Sequence, residues 1–425
     1  MCVTWAINLL LHVLDMLGRC FLWALLLFSL GLVSCSGDDA PCYDPPIEAG
    51  TEAEQMLLVY IAGDNNLSNN AQDDLQELLR AAVNVPSDCY LLAFVDENDA
   101  YYGGSRNPRI LRFFNNAGVG DYYTVKNFAS EVASCDALAM KDILEWVLLN
   151  YPSKKYDLVL WSHGTGWLRD DGRNIEQYSL GLDETNPSNY SKRHIYIEEL
   201  ASVLEGLPMQ PHRLMFDACF MQCIEVAYTL RNSADWIIAS PAELPAAGAP
   251  YDYLMPLFFK SSTGIQELLD VYVSSYKNTD MGAVLSAVRC DALEELADAT
   301  VAVVKERFMR GAVSGYYGLL AYLPNGRFTS TERMPCFYDA ASVVWGFLPA
   351  ADYEQWRAVL DKAVPYRSAT NRYYSDLKKT YVYITDPWCG ISMYMPREGS
   401  NYSSLNADFA TTEWYAAAGW NETGW

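Results

Sequence analysis

Five short, predominantly apolar runs, each the length of a β-strand, recur through the first 260 residues and alternate with segments of helical spacing. Continuous apolar runs are typical of strands buried on both faces, and intervening helices connect parallel neighbours. The pattern therefore predicts an α/β fold, a three-layer sandwich around a mostly parallel central sheet. The apolar runs are residues 57–62, 90–95, 156–161, 213–216 and 236–240, and the helical segments between them are 73–83 and 137–149.

The chain continues this pattern less regularly after residue 260. Apolar and polar residues there still change between helical and strand-like periods, so residues 261–425 are predicted to form an α/β lobe following the part from residue 56 to 260. The predicted helices are 265–276 and 291–309, and the predicted strands are 283–288, 317–323, 381–385 and 391–395.

Residues 1–34 are interpreted as a bacterial lipoprotein signal peptide, because Arg19 precedes a short apolar run that ends in small residues. The sequence Leu32-Val33-Ser34-Cys35 resembles the lipoprotein box, in which Cys35 becomes the lipidated N-terminus. A membrane-spanning helix needs roughly 20 apolar residues, and the central run is shorter. Residues 36–39 resemble the acidic surface-export tag of Bacteroides-type lipoproteins, and residues 35–55 are predicted to be an acidic, Pro-rich tether. We therefore expect an outer membrane lipoprotein on the cell surface or periplasmic face.

The charge balance bears on the choice of partner. Lys and Arg number 30 and Asp and Glu 53, giving a formal net charge of −23. Such a surface repels phosphate backbones, so no nucleic-acid partner is expected. Tyr (30) and Trp (12) are abundant, and aromatic residues line pockets and sugar-binding faces as well as cores.

Two reactive side chains each follow an apolar run. His163 lies just after the third run and Cys219 just after the fourth. Parallel strands end at one edge of a sheet, so these side chains face each other if the two strands are neighbours. A nearby imidazole and a helix N-terminus, here predicted over residues 221–230, lower the pKa of a thiol. Gly164 has no Cβ, so backbone N–H groups can approach a developing oxyanion closely.

The other histidines and cysteines give weaker indications of a catalytic or metal-binding role. His194 lies in a polar loop and His212 precedes a strand, so only His163 stands at a strand end among glycines. Eight cysteines follow Cys35 without zinc-type spacing, and their even number permits disulfides in an oxidising compartment. Cys223, one helical turn beyond Cys219, is interpreted as a packing residue.

Three sequence blocks resemble the clostripain family of cysteine peptidases. They are VYIAGDNNL at 59–67, LVLWSHGTGW at 158–167 and FDACFM at 216–221, with further similarity at 225–228, 238–240 and 389–396. The resemblance extends over about residues 56–420. It implies a caspase-like α/β fold, shared with gingipains, legumain and caspases. It also implies a catalytic domain over residues 56–260, with the lobe of residues 261–425 completing the fold.

The resemblance implies a cysteine endopeptidase with a dyad of His163 and Cys219. In that mechanism Cys219 attacks the scissile carbonyl, and backbone N–H groups at Gly164 and Cys219 stabilise the oxyanion. His163 protonates the leaving amine, and water hydrolyses the acyl-enzyme. The partner is then a protein or peptide substrate, and no cofactor is required.

Clostripain relatives cut after Arg or Lys, using acidic residues in the S1 pocket. Asp217 matches the family Asp two places before the nucleophile, and two roles stay open: pairing with a basic P1 side chain, or holding backbone at the strand end. The loop that begins at Ser240 should supply a second acid, and there Glu243 stands among apolar residues. This departs from the acid-rich loop expected of members specific for basic residues.

Many family members mature by cleavage of a loop between the His and Cys strands. The polar segment 170–193 matches that position, and the candidate cleavage residues are Arg169, Arg173, Lys192 and Arg193. Calcium dependence also occurs in the family, so calcium enters by resemblance only. Asp64, Asp183 and Glu184 offer oxygen ligands, but they lack the spacing of a calcium loop, and a solvated acidic face is expected.

A second functional hypothesis is a catalytically silent surface lipoprotein on the same scaffold, binding peptide or glycan in an aromatic-rich cleft. The presence of both His163 and Cys219 favours the peptidase, because a silent scaffold has no need for both.

Overall fold

The predicted apolar strands lie side by side in the computed structural model of the chain, which describes residues 45–98, 107–169, 179–185, 194–260, 264–311, 318–323 and 337–425. All of these residues belong to a single compact unit, Asp44–Trp425. Four of the candidate site residues lie outside the described residues, namely Cys35, Arg173, Lys192 and Arg193, as does the whole signal-like segment of residues 1–34.

Within the described residues, nine strands form one sheet and four short strands form two small ribbons. The sheet strands are β1 (Gln55–Gly63), β2 (Cys89–Glu97), β3 (Arg109–Asn116), β4 (Val119–Asn127), β5 (Tyr156–Trp161), β6 (Arg213–Asp217), β7 (Trp236–Ala239), β8 (Val284–Arg289) and β10 (Tyr366–Ala369). The ribbon strands are β9 (Tyr338–Asp339), β11 (Arg372–Ser375), β12 (Thr380–Tyr383) and β13 (Ser392–Met393).

The strand order in the sheet is β10-β8-β7-β6-β5-β1-β2-β3-β4. Only β3 and β8, among the strands described, run antiparallel to both of their neighbours. The other strands of the sheet all point the same way, and β7, β6, β5, β1 and β2 form its parallel centre. This confirms the predicted α/β fold with a mostly parallel central sheet.

Helices cover both faces of the sheet. They are α1 (Ser68–Ala81), α2 (Ala137–Asn150), α3 (Ile197–Glu205), α4 (Ile224–Thr229), α5 (Tyr251–Phe259), α6 (Ile265–Tyr276), α7 (Leu293–Arg307), α8 (Ala340–Phe347), α9 (Ala350–Ala363), α10 (Ser403–Phe409) and α11 (Glu413–Ala417). Among the described residues, we find no helix with both the length and the apolar character needed to cross a bilayer.

Strand β1 shows why its sequence reads as one continuous apolar run. Leu57, Val59 and Ile61 face one core, together with α1, α5 and α6. Leu58 and Tyr60 face the other core, together with α2, α3 and α4. Because both faces are covered, successive residues are all buried and no polar alternation remains.

The structure departs from the sequence predictions in the less regular parts. Strand β4 was not predicted, because it is an edge strand whose residues are largely exposed. A strand over 317–323 is wrong for the described residues 318–323, which form only an isolated bridge between Ala321 and Tyr338. Residues 391–395 contribute only the two-residue strand β13, which pairs with β9.

Candidate active site

The register of β5 and β6 brings the two predicted reactive residues to one edge of the sheet. The strands are parallel, and their last paired residues are Trp161 and Asp217. His163 and Cys219 each stand two residues beyond this pair. A Cβ built on Gly164 would lie 2.7 Å from the carbonyl oxygen of Cys219, so the two loops touch through their backbones. The predicted meeting of the two strand ends is therefore present.

His163 is half-buried and is held by groups from two other segments. Its Nε2 lies 2.7 Å from Asn66 Oδ1, and because an amide oxygen accepts, Nε2 carries the proton in this contact. The His163 carbonyl accepts a hydrogen bond from the Gly181 N–H at 2.9 Å. Asn66 was not assigned a role from the sequence. Its position just after β1 could have indicated one, because β1 is the parallel neighbour of β5 and residues that follow both strands lie at the same sheet edge.

The thiol of Cys219 is half-buried and contacts the loop after β7. Its Sγ accepts a hydrogen bond from the Leu244 N–H at 3.3 Å. Burial raises the pKa of the Cys219 thiol to about 12, although the Leu244 N–H lowers it, and the carboxyl groups of Glu243 and Asp217 raise it further. The thiol is therefore protonated at neutral pH in this arrangement.

The predicted helix over 221–230 begins later than expected. Helix α4 starts at Ile224, so its N-terminus does not lie at Cys219 and cannot lower the pKa of the thiol there. Phe220 has a φ of 60°, and residues 220–222 pair with the loop after β7 instead. Phe220 N–H donates to Ala242 O at 3.0 Å, and Gln222 N–H donates to Ser240 O at 2.9 Å.

The backbone donors predicted for the oxyanion lie where the two loops meet. In the part of the chain that the structure describes, the N–H groups of Gly164 and Cys219 have no hydrogen-bond acceptor. The next N–H along the chain, that of Phe220, is already bonded to Ala242 O. Both N–H groups therefore stay available to an acceptor, as the donors to an oxyanion must be.

Asp217 is buried and its carboxylate is engaged by three protein donors. Ala249 N–H and Tyr251 O–H donate to Oδ2 at 2.9 and 3.0 Å, and Tyr272 O–H donates to Oδ1 at 3.4 Å. Burial raises the pKa of the Asp217 carboxyl, and these three donors lower it. The contacts are those of a carboxylate that holds backbone at a strand end, which is one of the two roles left open by the sequence.

We expect Asp217→Ala to lower the free energy of unfolding by about 3 kcal/mol, because three buried donors lose their acceptor. Asp217→Asn keeps one acceptor oxygen and should lose less than half as much. Urea denaturation followed by tryptophan fluorescence measures both values. An Asp217→Ala protein as stable as the wild type would show that the carboxylate has no structural role.

The other two predicted S1 residues are also bonded within the protein. Glu243 accepts hydrogen bonds from the Ser375 hydroxyl and from the Leu377 N–H, which belong to β11 and the turn that follows it. The hydroxyl of Ser240 bonds the backbone of Ala242. The loop after β7 is thus fixed to the C-terminal β11–β12 hairpin on one side and touches Cys219 on the other.

Comparison with known proteins agrees with this geometry. The profile of the clostripain family, peptidase family C11, matches residues 59–425. The chain belongs to the clostripain family. The sequence-based assignment to clostripain-like cysteine peptidases is therefore confirmed at the level of the family.

Several characterised clostripain-family proteins are similar to this chain. Clostripain from Hathewaya histolytica is 24% identical over 214 residues, which cover 46% of this chain and 40% of clostripain. The chain thus matches well under half the length of that relative. An inactive zymogen C11 protease from Parabacteroides distasonis has a TM-score of 0.71 and 25% identity, covering 87% of this chain and 99% of the other.

A third similar protein is a secreted C11 cysteine protease from Bacteroides thetaiotaomicron, solved in complex with an irreversible peptide inhibitor. It has a TM-score of 0.72 and 26% identity, and the match covers 87% of this chain and 100% of the other. The fold of this clostripain-family chain is therefore that of solved C11 proteases over nearly its whole described length.

Two further predictions about this clostripain-family chain concern its cysteines and its cleavage loop. The six cysteines within the described residues are all unpaired, and Cys223 is fully buried, as expected of a packing residue. Arg169, at the start of the predicted cleavage loop, donates to Glu198 at 2.7 Å and stacks over the Tyr196 ring. A basic residue held in this way is less accessible to a cleaving peptidase than a free loop residue.

The predicted solvated acidic face is wrong for two of its three members. Asp64 and Asp183 are fully buried, and only Glu184 is exposed. Asp96, which follows the apolar run of β2, lies with the buried pair, and one carboxylate oxygen of each residue lies within 4.8 Å of the others. Burial, followed by the charge of Asp64, raises the pKa of Asp183 to about 7.

Proposed function

We propose that this protein is a cysteine endopeptidase in which Cys219 is the nucleophile and His163 the general acid and base. The observation that carries the proposal is the register of β5 and β6, which sets both residues two positions beyond one paired site. Family membership supports peptide-bond hydrolysis as the reaction. The substrate is a protein or peptide, and the dyad itself needs no cofactor.

The reaction follows from these groups. Cys219 Sγ loses its proton to His163 and attacks the scissile carbonyl carbon, forming a C–S bond. The oxyanion accepts hydrogen bonds from the N–H groups of Gly164 and Cys219, each worth about 2.7–4 kcal/mol in a protease. His163 then gives its proton to the leaving amine, and water, deprotonated by His163, cleaves the thioester.

We propose that the described arrangement is a resting form. The Cys219 thiol is protonated, and His163 Nε2 is bonded to Asn66. The Parabacteroides distasonis relative is an inactive zymogen. Cleavage at Arg169, Arg173, Lys192 or Arg193 would free the segment that is continuous with Gly181, whose N–H holds the His163 carbonyl. The imidazole would then be released toward Cys219.

We propose a basic P1 residue on electrostatic grounds. The carboxyl groups of Asp217 and Glu243 lie close enough to raise the pKa of the Cys219 thiol, so the field at the nucleophile favours a cationic neighbour. Both carboxylates are already bonded to protein donors, so the field rather than a direct ion pair supports the preference. As a separate proposal, the resemblance of the sequence blocks supports a fold related to those of caspases, gingipains and legumain.

We also propose that the protein is an outer membrane lipoprotein anchored through lipid on Cys35, facing the cell surface or the periplasm. The signal-like sequence of residues 1–35 supports this, as does the acidic tether that follows it. The net charge of −23 supports the absence of a nucleic-acid partner. Incorporation of labelled palmitate into the wild type but not into Cys35→Ala would support the anchor.

Covalent labelling tests the proposed nucleophile. A peptide acyloxymethyl ketone should modify the wild type and Cys223→Ala to about one label per chain, and Cys219→Ala not at all, because only Cys219 lies beside the proposed oxyanion donors. Intact-mass spectrometry measures the stoichiometry. Equal labelling of Cys219→Ala and Cys223→Ala would contradict the peptidase and favour a silent binding lipoprotein.

A further inference from the structure

A cleft lies between α1 and the β3–β4 hairpin, away from His163 and Cys219. Its volume is about 540 Å³, and it is open to solvent on one side. Strand β3 is three strands from β5, which leads to His163, so at about 4.8 Å per strand it lies roughly 14 Å away. The cleft is separate from the proposed active site and has the size of a pocket for a small ligand. We call it the hairpin cleft.

The floor of the hairpin cleft is apolar and fixed by packing. Leu75 of α1 and Leu111 and Phe113 of β3 line it, and none of the three is more than 5% exposed. The ring of Tyr122 lies 5.5 Å from the ring of Phe113, centroid to centroid. The ring of Phe128 is held edge-to-face against the core. Aromatic rings held in this way offer flat apolar surfaces that need not be ordered when a ligand binds.

Uncharged polar side chains form the rim of the hairpin cleft. Gln76 of α1 and Thr124 and Asn127 of β4 are lining residues that are exposed. Their side chains have no hydrogen-bond partner among the described residues, so their carboxamide and hydroxyl groups are available to a ligand. A carboxamide both donates and accepts hydrogen bonds, and so does a hydroxyl. The rim therefore matches a ligand that carries many hydroxyl groups.

The charges at the hairpin cleft do not select an ion. Among the described residues that line the cleft, Arg109 alone is charged. Its guanidinium is paired with the Glu97 carboxylate at 2.8 Å, and that carboxylate also accepts from Gln72. An anion would meet a chain with a formal net charge of −23, and a cation would meet Arg109. A neutral ligand is therefore favoured over both.

The main chain under the hairpin cleft is already used by the sheet. Leu111 and Phe113 are each paired with a residue of β2 on one side and with a residue of β4 on the other. A ligand lying on this face of the sheet therefore meets side chains rather than free N–H and C=O groups. Extended peptides bind sheets by adding a strand, which requires such main-chain groups. This favours a ligand that is recognised by side chains over a peptide.

We propose that the hairpin cleft binds a neutral oligosaccharide. Sugar rings have apolar C–H faces that stack on aromatic rings, and edges of hydroxyl groups that bond to carboxamides. The rings of Phe113 and Tyr122 would take a sugar face, and Gln76 and Asn127 its hydroxyl groups. On a peptidase this site would hold glycosylated proteins near the dyad. That consequence, unlike sugar binding, rests on the proposed peptidase function.

Sugar binding can be measured on the full chain without any activity assay. Maltotriose, cellotriose and triacetylchitotriose are neutral trisaccharides that differ in linkage and in the acetamido group, and each is titrated into the protein by isothermal titration calorimetry. At least one should bind with a Kd of about 1 mM or tighter. No binding of any of the three would overturn the proposal. Tighter binding of tetra-alanine, a neutral peptide, than of every sugar would also overturn it.

Variants of exposed residues assign the binding to the hairpin cleft. Tyr122→Ala should weaken binding about tenfold because it removes a ring, and Tyr122→Phe, which keeps the ring, should stay within about threefold of the wild type. Gln76→Ala should weaken binding about fivefold. Tyr383→Ala is the matched control, because Tyr383 is a similarly exposed tyrosine of another hairpin, and it should bind like the wild type. Unchanged affinity in both Tyr122→Ala and Gln76→Ala would refute the site.

The failure of this proposal is distinguishable from failure of the peptidase proposal. Cys219→Ala should bind the sugar as tightly as the wild type does, because Cys219 does not line the hairpin cleft. Loss of sugar binding in Cys219→Ala would show that the sugar occupies the cleft of the dyad instead, and would overturn the proposal.

Discussion

Replacing His163 by Ala should lower kcat for peptide hydrolysis by about 10⁴- to 10⁶-fold, the range found when one member of a nucleophile–base pair is removed from a protease. We expect a large loss of kcat because the Cys219 thiol is protonated before the reaction. Its pKa of about 12 leaves almost no thiolate at neutral pH, so attack depends on a base that takes the proton. The assay uses a fluorogenic peptide chosen from a P1 library, with cleaved and uncleaved enzyme tested separately.

Two comparisons make the His163 result specific. The double variant His163→Ala/Cys219→Ala should be no less active than Cys219→Ala alone, because the two groups act as a unit. His212→Ala is the matched histidine control: His212 pairs with Asp235 at 2.8 Å near the surface, and its loss should leave kcat within about twofold. If His163→Ala kept more than about a tenth of the wild-type kcat, the imidazole would have no place in the mechanism.

Gly164→Ala should lower kcat/KM by about 10²- to 10³-fold, because it disturbs an oxyanion donor and the spacing of the dyad together. An alanine Cβ at this position would lie 2.7 Å from the Cys219 carbonyl oxygen and 3.1 Å from Ala218 Cβ, so backbone must move. Overpacking of this kind also destabilises proteins by about 1–3 kcal/mol. Kinetics and urea denaturation together separate the two effects.

The control for this prediction is Gly264→Ala. A Cβ at Gly264 meets nothing within 4 Å, and the residue has an ordinary negative φ at the start of α6. It should keep wild-type kinetics and lose less than about 1 kcal/mol. Wild-type kinetics in Gly164→Ala would mean that the contact between the two loops does not matter for catalysis.

The strands and the site edge were predictable because their signal is local. A run such as residues 156–161 is buried on both faces, so every residue in it except Asp157 is apolar, and a residue just beyond it must lie at a sheet edge. The pairing of β5 with β6 is not local, and only the family resemblance and the alternation of elements indicated it. The register itself came from the structure.

The start of α4 shows where local pattern fails. Residues 221–223 continue the helical spacing of the residues after them, but their backbone groups are used elsewhere: Gln222 N–H bonds Ser240 O, and Phe220 turns the chain with a positive φ. A competing segment nearly 20 positions further on decides the outcome, and no window of sequence contains it.

The burial of Asp64 and Asp183 beside Asp96 was not predicted, for a related reason. Asp64, Asp96 and Asp183 are far apart in the chain and share no motif. Asp64 and Asp96 did carry a usable signal, since each follows an apolar run and β1 and β2 are adjacent parallel strands. Asp183 lies in a polar stretch, where an acid is expected to face water, and its burial depends on the docking of that stretch against the turn after β1.

The hydrogen bonds from the β11–β12 hairpin to Glu243 affect how substrate preference can change between related proteins. Ser375 and Leu377 fix a loop that touches the reactive sulfur through Leu244, although they stand more than 130 positions from it. Substitutions in this distant hairpin can therefore retune substrate preference while the reacting groups stay untouched. A shortened protein that stops near residue 260 would lose the hairpin that fixes this loop along with two strands of the sheet, so the same C-terminal segment serves both the site and the fold.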